Sequence, residues 1–217
     1  MRWTHPGRGR VAAAEFIALA EEVGLIVPLG RWGLEAACRA AAAWPGGRRV
    51  AVNLSPAQIR GDDLPAAVAD VLRRTGLAAE RLELEVTERS LIGDTERALQ
   101  ALRGLKALGV RVVLDDFGTG YSSLSHLRRF PFDALKIDRS FIRASGEDPG
   151  ARAIVEAILA MSRKLGLDVI AEGVETAQQL DALRAQRCDA AQGSLLGRPM
   201  PVGAVADFLR ERRLVPA

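Results

Sequence analysis

Apolar and polar residues alternate with a period of two in several short runs of this chain. Arg49-Val-Ala-Val-Asn-Leu-Ser55 puts Val50, Val52 and Leu54 on one face and Ala51, Asn53 and Ser55 on the other. Leu82 to Glu88 sets Leu82, Leu84 and Val86 opposite Glu83, Glu85 and Thr87. Alternation of this kind predicts half-buried β-strands. Val110 to Leu114 is an apolar run that ends in Asp115–Asp116, and Ala134 to Asp138 sets Leu135 and Ile137 against Lys136 and Asp138. Asp168 to Glu175 has an apolar centre leading into Glu172 and Glu175. Cys188 to Gly193 is shorter and ends in Gln192-Gly193.

Between these runs the period changes to that of helices. The pattern predicts helices over Val11–Val23, Gly30–Trp44, Leu64–Thr75, Asp94–Leu108, Ser122–Arg129, Gly150–Leu165, Thr176–Gln186 and Pro201–Arg212. Asp94 and Thr176 are candidate N-caps, and Gly76, Gly109 and Gly166 are placed to end helices. Strand and helix in alternation imply a parallel sheet with helical crossovers. A (β/α)8 barrel suits the pattern best, because it brings polar strand ends spread along the whole chain to one rim. An open doubly wound sheet is the alternative, with its site at a switch point. The chain has neither Gly-x-Gly-x-x-Gly nor a Walker-type loop to support it. Six strands are legible, two helices precede the first, and residues Met1 to Arg10 contain no apolar strand. The expectation is a single α/β domain over 1–217, a TIM-like (β/α)8 barrel lacking its first strand or strands in this chain.

Composition narrows the setting. Hydrophobic residues make up 48% of the 217 positions, ample for one core. No apolar run has the length of a membrane span, and no secretory leader pattern opens the chain, which implies a cytoplasmic protein. Two cysteines far apart, Cys38 and Cys188, make no disulfide framework. A net charge of +3, dispersed and without an aromatic platform, argues against a nucleic acid polymer as partner. Only three of the 30 basic residues are lysines, Lys106, Lys136 and Lys164. Against that bias, Lys136 at a strand end suggests a position that needs a compact ammonium.

Two adjacent carboxylates, Asp115 and Asp116, repel one another and stay ionised together only beside compensating positive charge, such as divalent cations. His5 and His126 are not at ligand spacing and the cysteines form no pair, so candidate ligands are oxygens, which suit Mg²⁺ or Mn²⁺. A rim carrying Asn53, Glu85, Asp115 and Asp116 has the donors for two ions about 3.5–4 Å apart, as in two-metal phosphoesterases. Lys136 and Glu172 would then stand near the attacking water. Each carboxylate taken alone is equally compatible with an ion pair to one of the many arginines, and Glu83 is assigned that role.

These motifs carry a resemblance. Asn53-Leu-Ser55, Glu85-Val-Thr-Glu88, Asp115-Asp-Phe-Gly-Thr-Gly-Tyr-Ser-Ser-Leu124, Leu135-Lys-Ile-Asp138, Ala171-Glu-Gly-Val-Glu175 and Gln192-Gly193 stand in the order of the EAL domain family. The resemblance implies a TIM-like barrel that hydrolyses cyclic di-GMP to linear pGpG with two Mg²⁺ or Mn²⁺ ions. It implies that Asn53, Glu85 and Asp115 bind one metal and that Asp115 bridges to a second held with Asp116. Glu172 corresponds to the general base and Lys136 to the residue that polarises the attacking water. Gln192 and Glu175 correspond to positions that support site and substrate, and Arg2 to an arginine on a substrate phosphate. Asp116 to Ser122 matches a loop coupling the metal site to dimerisation, and Glu88 the carboxylate anchoring that loop. A homodimer and an upstream sensory or GGDEF-type domain in a longer protein are the partners implied. The Glu-Ala-Leu signature itself, which supplies a further metal ligand, is absent from a chain that opens Met1-Arg2-Trp3. Two classes of function follow: a metal-dependent phosphodiesterase, or a non-catalytic module that binds cyclic di-GMP or a protein.

Overall fold

The computed structural model describes residues 3–61, 63–91, 95–118 and 124–211. The chain opens with β1 (Trp3–His5), β2 (Gly9–Val11), α1 (Ala13–Glu22) and α2 (Ile26–Ala42), followed by β3 (Val50–Asn53), α3 (Pro56–Ile59) and α4 (Leu64–Thr75). Next come β4 (Leu82–Thr87), α5 (Thr95–Ala107), β5 (Arg111–Phe117), α6 (Leu124–Arg129), β6 (Ala134–Ile137) and α7 (Arg139–Ala144). The last elements are α8 (Pro149–Leu165), β7 (Asp168–Ala171), α9 (Ala177–Ala185), β8 (Ala190–Ala191) and α10 (Val202–Glu211).

Six strands form one parallel sheet in the order β3-β4-β5-β6-β7-β8. Strand order follows chain order without reversal. That is the arrangement of a (β/α)8 barrel and removes the doubly wound alternative, whose strand order reverses at its switch point. Among the described residues β3 and β8 end the sheet and their outer edges pair with no strand. Helix α10 follows β8 yet touches the Pro45–Gly47 turn just ahead of β3, so the helical layer reaches from the last strand round to the first.

One face of each strand supplies the core. Leu82, Leu84, Val86, Val112, Leu114, Leu135, Ile137 and Val169 are at most 1% exposed and pack with Leu34, Cys38, Val68, Leu102, Leu105 and Leu159 from the helices. Each such side chain contributes about 1.5–3 kcal/mol on burial. Because side chains alternate along a strand, Asn53, Glu83, Glu85, Asp115, Lys136 and Ala134 occupy the opposite face. At its N-terminal end that face carries ion pairs: Glu83 meets Arg49 at 3.5 Å and Arg111 at 3.0 Å, and Arg111 meets Asp168 at 2.6 Å. Glu83 thus has the arginine partners assigned to it.

Helix ends follow local chemistry. Thr176 accepts from the backbone of Gln179 at 3.2 Å in a capping box, and Asp148 caps α8 from Gly150 at 2.8 Å. Asp94, the expected cap of α5, and residues 122–123 of the expected Ser122–Arg129 helix lie outside the described residues. Cys38 and Cys188 are free thiols, and burial pushes Cys38 up to about 11, which keeps it inert. No described helix is long and apolar enough to cross a membrane.

Among the differences from expectation are two short helices, α3 and α7, that the pattern did not predict, and three further features. Residues 3–11 form an antiparallel hairpin, Trp3 opposite Val11 and His5 opposite Gly9. Its turn is tied by the His5 ring, whose Nδ1 accepts from the backbone of Gly7 at 3.0 Å and Arg8 at 3.2 Å. A mostly exposed two-stranded ribbon has no apolar stripe, so the period could not show it. Helix α2 begins at Ile26, four residues before the expected Gly30, because Pro28 falls in the first turn where a missing N–H costs nothing. Strand β5 continues through Asp115 and Asp116 to Phe117 instead of stopping at Leu114.

Candidate active site

The continuation of β5 is irregular. Leu114 pairs with Leu135 and Phe117 with Ile137, so β5 advances three residues while β6 advances two. One extra residue is therefore inserted at Asp115–Asp116, a β-bulge. Asp116 takes a left-handed backbone, φ 57°, a conformation that short polar side chains tolerate better than others. In a regular strand two neighbours point to opposite faces. Here the bulge turns both to the same side: carboxylate oxygens of Asp115, Asp116 and Glu172 lie within 4.8 Å of one another.

Lys136 stands at the centre. Its Nζ is 2.5 Å from Glu172, 2.9 Å from Glu85 and 3.4 Å from Asp115, and the residue is 3% exposed. Four strands converge on this ammonium: β4 through Glu85, β5 through Asp115, β6 through Lys136 itself and β7 through Glu172 just past its end. Burial opposes the charged form of Lys136. The Glu85 carboxylate, the hydrogen bond to Glu172 and the Asp115 charge outweigh burial and hold the ammonium above its ordinary range. Burial pushes the Glu85 carboxyl up, Lys136 opposes, and Asp115 and Glu172 add to the rise. Glu172 is likewise raised by burial against its bond to Lys136. Asp116 is raised by burial and by Asp115 and Asp138.

Four carboxylates around one ammonium leave an excess of negative charge on hard oxygen donors, and three of the four are held above their ordinary range. A divalent cation would relieve that excess, and oxygen-only donors suit hard ions such as Mg²⁺ or Mn²⁺. The residues present therefore fit a metal site. Asn53, the register partner of Glu85, brings a neutral oxygen to the same strand ends.

The other expected residues lie around this centre. Gln192 follows β8, donating from its backbone to Ala171 at 2.8 Å and accepting from Val174 at 3.0 Å, so the segment after Glu172 is stapled to β8. That closeness requires Gly193, where a methyl group would come within 2.0 Å of the Val174 backbone. Gly193→Ala is expected to destabilise the fold by roughly 1–3 kcal/mol or more through overpacking. Thermal unfolding at an unchanged midpoint would contradict this placement. Glu175 is exposed and outside the acid cluster, its backbone N–H bound to Gln179 at 2.8 Å. Glu88 is buried and has an oxygen 3.7 Å from His126 Nδ1 on α6, whose ring meets Phe130 edge-on. Arg2 and residues 119–122 of the expected Asp116–Ser122 loop lie outside the described residues. Asp138, which the strand period places on the face of Lys136, caps α7 by accepting from the Ser140 backbone at 2.9 Å. The Asp-x-Ser spacing just past a strand was the available signal for that cap.

Residues 1–199 match the family model described as the EAL domain. The chain belongs to the EAL domain family. As an EAL domain it is 53% identical over 205 residues to an uncharacterized signaling protein of Caulobacter vibrioides, covering 94% of this chain and 25% of that protein. It is 46% identical over 217 residues to the cyclic di-GMP phosphodiesterase NbdA of Pseudomonas aeruginosa, covering 98% of this chain and 28% of NbdA. Among solved structures, the EAL fold superposes on the PaMucR phosphodiesterase in complex with c-di-GMP with a TM-score of 0.88 at 45% identity, covering 94% of this chain and 84% of that one. The chain thus spans about a quarter of the length of these two curated relatives.

Proposed function

We propose that this chain hydrolyses cyclic di-GMP to linear pGpG with two divalent cations. The observation that carries the reading is the bulge that turns Asp115 and Asp116 toward Glu172, beside a buried lysine bonded to three carboxylates. Relatives of this family that are named cyclic di-GMP phosphodiesterases support the substrate.

Asn53, Glu85 and Asp115 would hold one ion, and Asp115 with Asp116 the second. Bound Mg²⁺ or Mn²⁺ neutralises the phosphodiester and lowers the pKa of an attacking water. Glu172 accepts the proton of that water; a carboxyl raised by burial is the stronger base for it. Lys136 orients Glu172 through their 2.5 Å contact and keeps it ionised until the proton arrives. Gln192 and Glu175 would support the site and the substrate, and Arg2 would take a substrate phosphate. Glu88 anchors the segment that follows Asp116. A homodimer, a cytoplasmic setting and a further sensory or GGDEF-type domain in a longer polypeptide belong to the same reading. The quarter of NbdA that this chain covers supports the last of these.

Cyclic di-GMP incubated with the protein and Mg²⁺ or Mn²⁺ should yield pGpG, and a chelator should abolish the product. Undiminished turnover in chelator sinks the two-metal reading. Binding without turnover in excess metal leaves the non-catalytic module instead.

A further inference from the structure

Strand β5 carries the Asp115–Asp116 pair in the interior of the sheet, and on each side of it the neighbouring strand leads into an arginine. Past β4, the Glu88–Leu91 turn buries Glu88, Ser90 and Leu91 and leaves Arg89 exposed. Its backbone is fixed by its neighbours while the side chain stays in solvent. Thr87, two residues earlier, is the register partner of Asp115, which sets Arg89 beside the end of β5. Past β6, Arg139 is the exposed first residue of α7, and its Cβ lies against Gly173, next to Glu172.

Among the described residues neither arginine forms an ion pair, whereas Arg49 and Arg111 at the other end of the same strands are neutralised by Glu83 and Asp168. Lys136 is no substitute for them, being 3% exposed and already engaged with three carboxylates. A cyclic dinucleotide brings two phosphodiester anions. When one is placed over the acid cluster, the other needs its own cation at the rim. With strands about 4.8 Å apart, the ends of β4 and β6 stand roughly 10 Å from each other, within the joint reach of two guanidiniums to one phosphate. The planar fork of arginine matches phosphate oxygens two at a time.

We propose that Arg89 and Arg139 form a second phosphate site that grips the phosphodiester not being cleaved, one guanidinium from each flank of the acidic pair. The inference rests on the phosphodiesterase reading and adds to it how a two-phosphate substrate is told from a one-phosphate one. The test measures cyclic di-GMP binding and hydrolysis, and hydrolysis of bis(p-nitrophenyl) phosphate, for wild type, Arg89→Ala, Arg139→Ala, Arg89→Lys and the double alanine variant. Each alanine variant should raise Kd and KM for cyclic di-GMP by roughly 10- to 100-fold, the loss of a charge-assisted contact, with kcat changed far less. Arg89→Lys should recover part of the affinity. The loss on the one-phosphate ester should be at least about tenfold smaller. Cyclic di-GMP affinity equal to wild type overturns the second site and leaves the phosphodiesterase reading standing. Equal losses on both substrates also overturn it, placing the arginines in service of the acid cluster. A wild-type protein that neither binds nor hydrolyses cyclic di-GMP overturns both.

Discussion

Asp115→Asn should lower cyclic di-GMP hydrolysis on the order of 10³-fold or more while leaving the fold intact, the scale of removing one preorganised electrostatic partner. Asp115 is 8% exposed, sits at the bulge of β5, lies 3.4 Å from Lys136, and shares the cluster with Asp116 and Glu172. It therefore belongs both to the group around Lys136 and to the group it forms with Asp116 and Glu172. Asparagine keeps its shape and removes its charge, so in the proposed two-metal site the ligand shared by both cations would be lost. It also turns N–H groups toward the Lys136 ammonium or toward the metals. The fold should survive, because a neutral amide removes a like charge from a crowded acidic site. Turnover at saturating Mn²⁺, set beside a Mn²⁺ binding titration, checks this. Near-native turnover would sink the bridging role.

Lys136→Arg is expected to fold and to lose roughly 10²–10⁴-fold in rate, the range of a positioned proton-transfer group. The site around Nζ is closed by carboxylates at 2.5, 2.9 and 3.4 Å and the residue is 3% exposed. A flat five-donor fork cannot occupy a space shaped for a compact ammonium, so it should displace Glu172 from its proposed place beside the attacking water. Lys136→Met removes the charge altogether and leaves Glu85, Asp115 and Glu172 without their cation. That variant should be destabilised by about 3–5 kcal/mol in metal-free buffer, as when one partner of a buried pair is deleted. An arginine variant with near-native turnover would leave Lys136 a structural ion-pair partner only.

Much of the barrel-type architecture was legible because period-two alternation reports a half-buried strand wherever the sheet has one apolar face. Leu82 to Thr87 shows it most cleanly, and the structure places its leucines against the helices and Glu85 on the other side. The hairpin over residues 3–11 was not legible, since its strands bury almost nothing. The early start of α2 was missed because Pro28 looks like a breaker unless its place in the first turn is known. Arg89 and Arg139 were invisible among so many arginines until strand order placed one on each side of β5.

By itself the sequence determined the kinds of chemistry available: oxygen donors without histidine or thiolate partners, one lysine set at a strand end, and strands whose polar faces share one direction. Asp115 and Asp116 were legible as a pair, but only the tertiary structure shows how both come to face one side. Adjacent residues in a strand point apart, and it takes a bulge forced by pairing with β6, together with the left-handed backbone of Asp116, to turn them to one side. The same holds for Lys136, whose three carboxylate partners come from Glu85, Asp115 and Glu172, between 21 and 51 positions away along the chain. Their meeting depends on which strands lie side by side, and that is set by hydrogen bonds between segments distant in sequence, which no local pattern records.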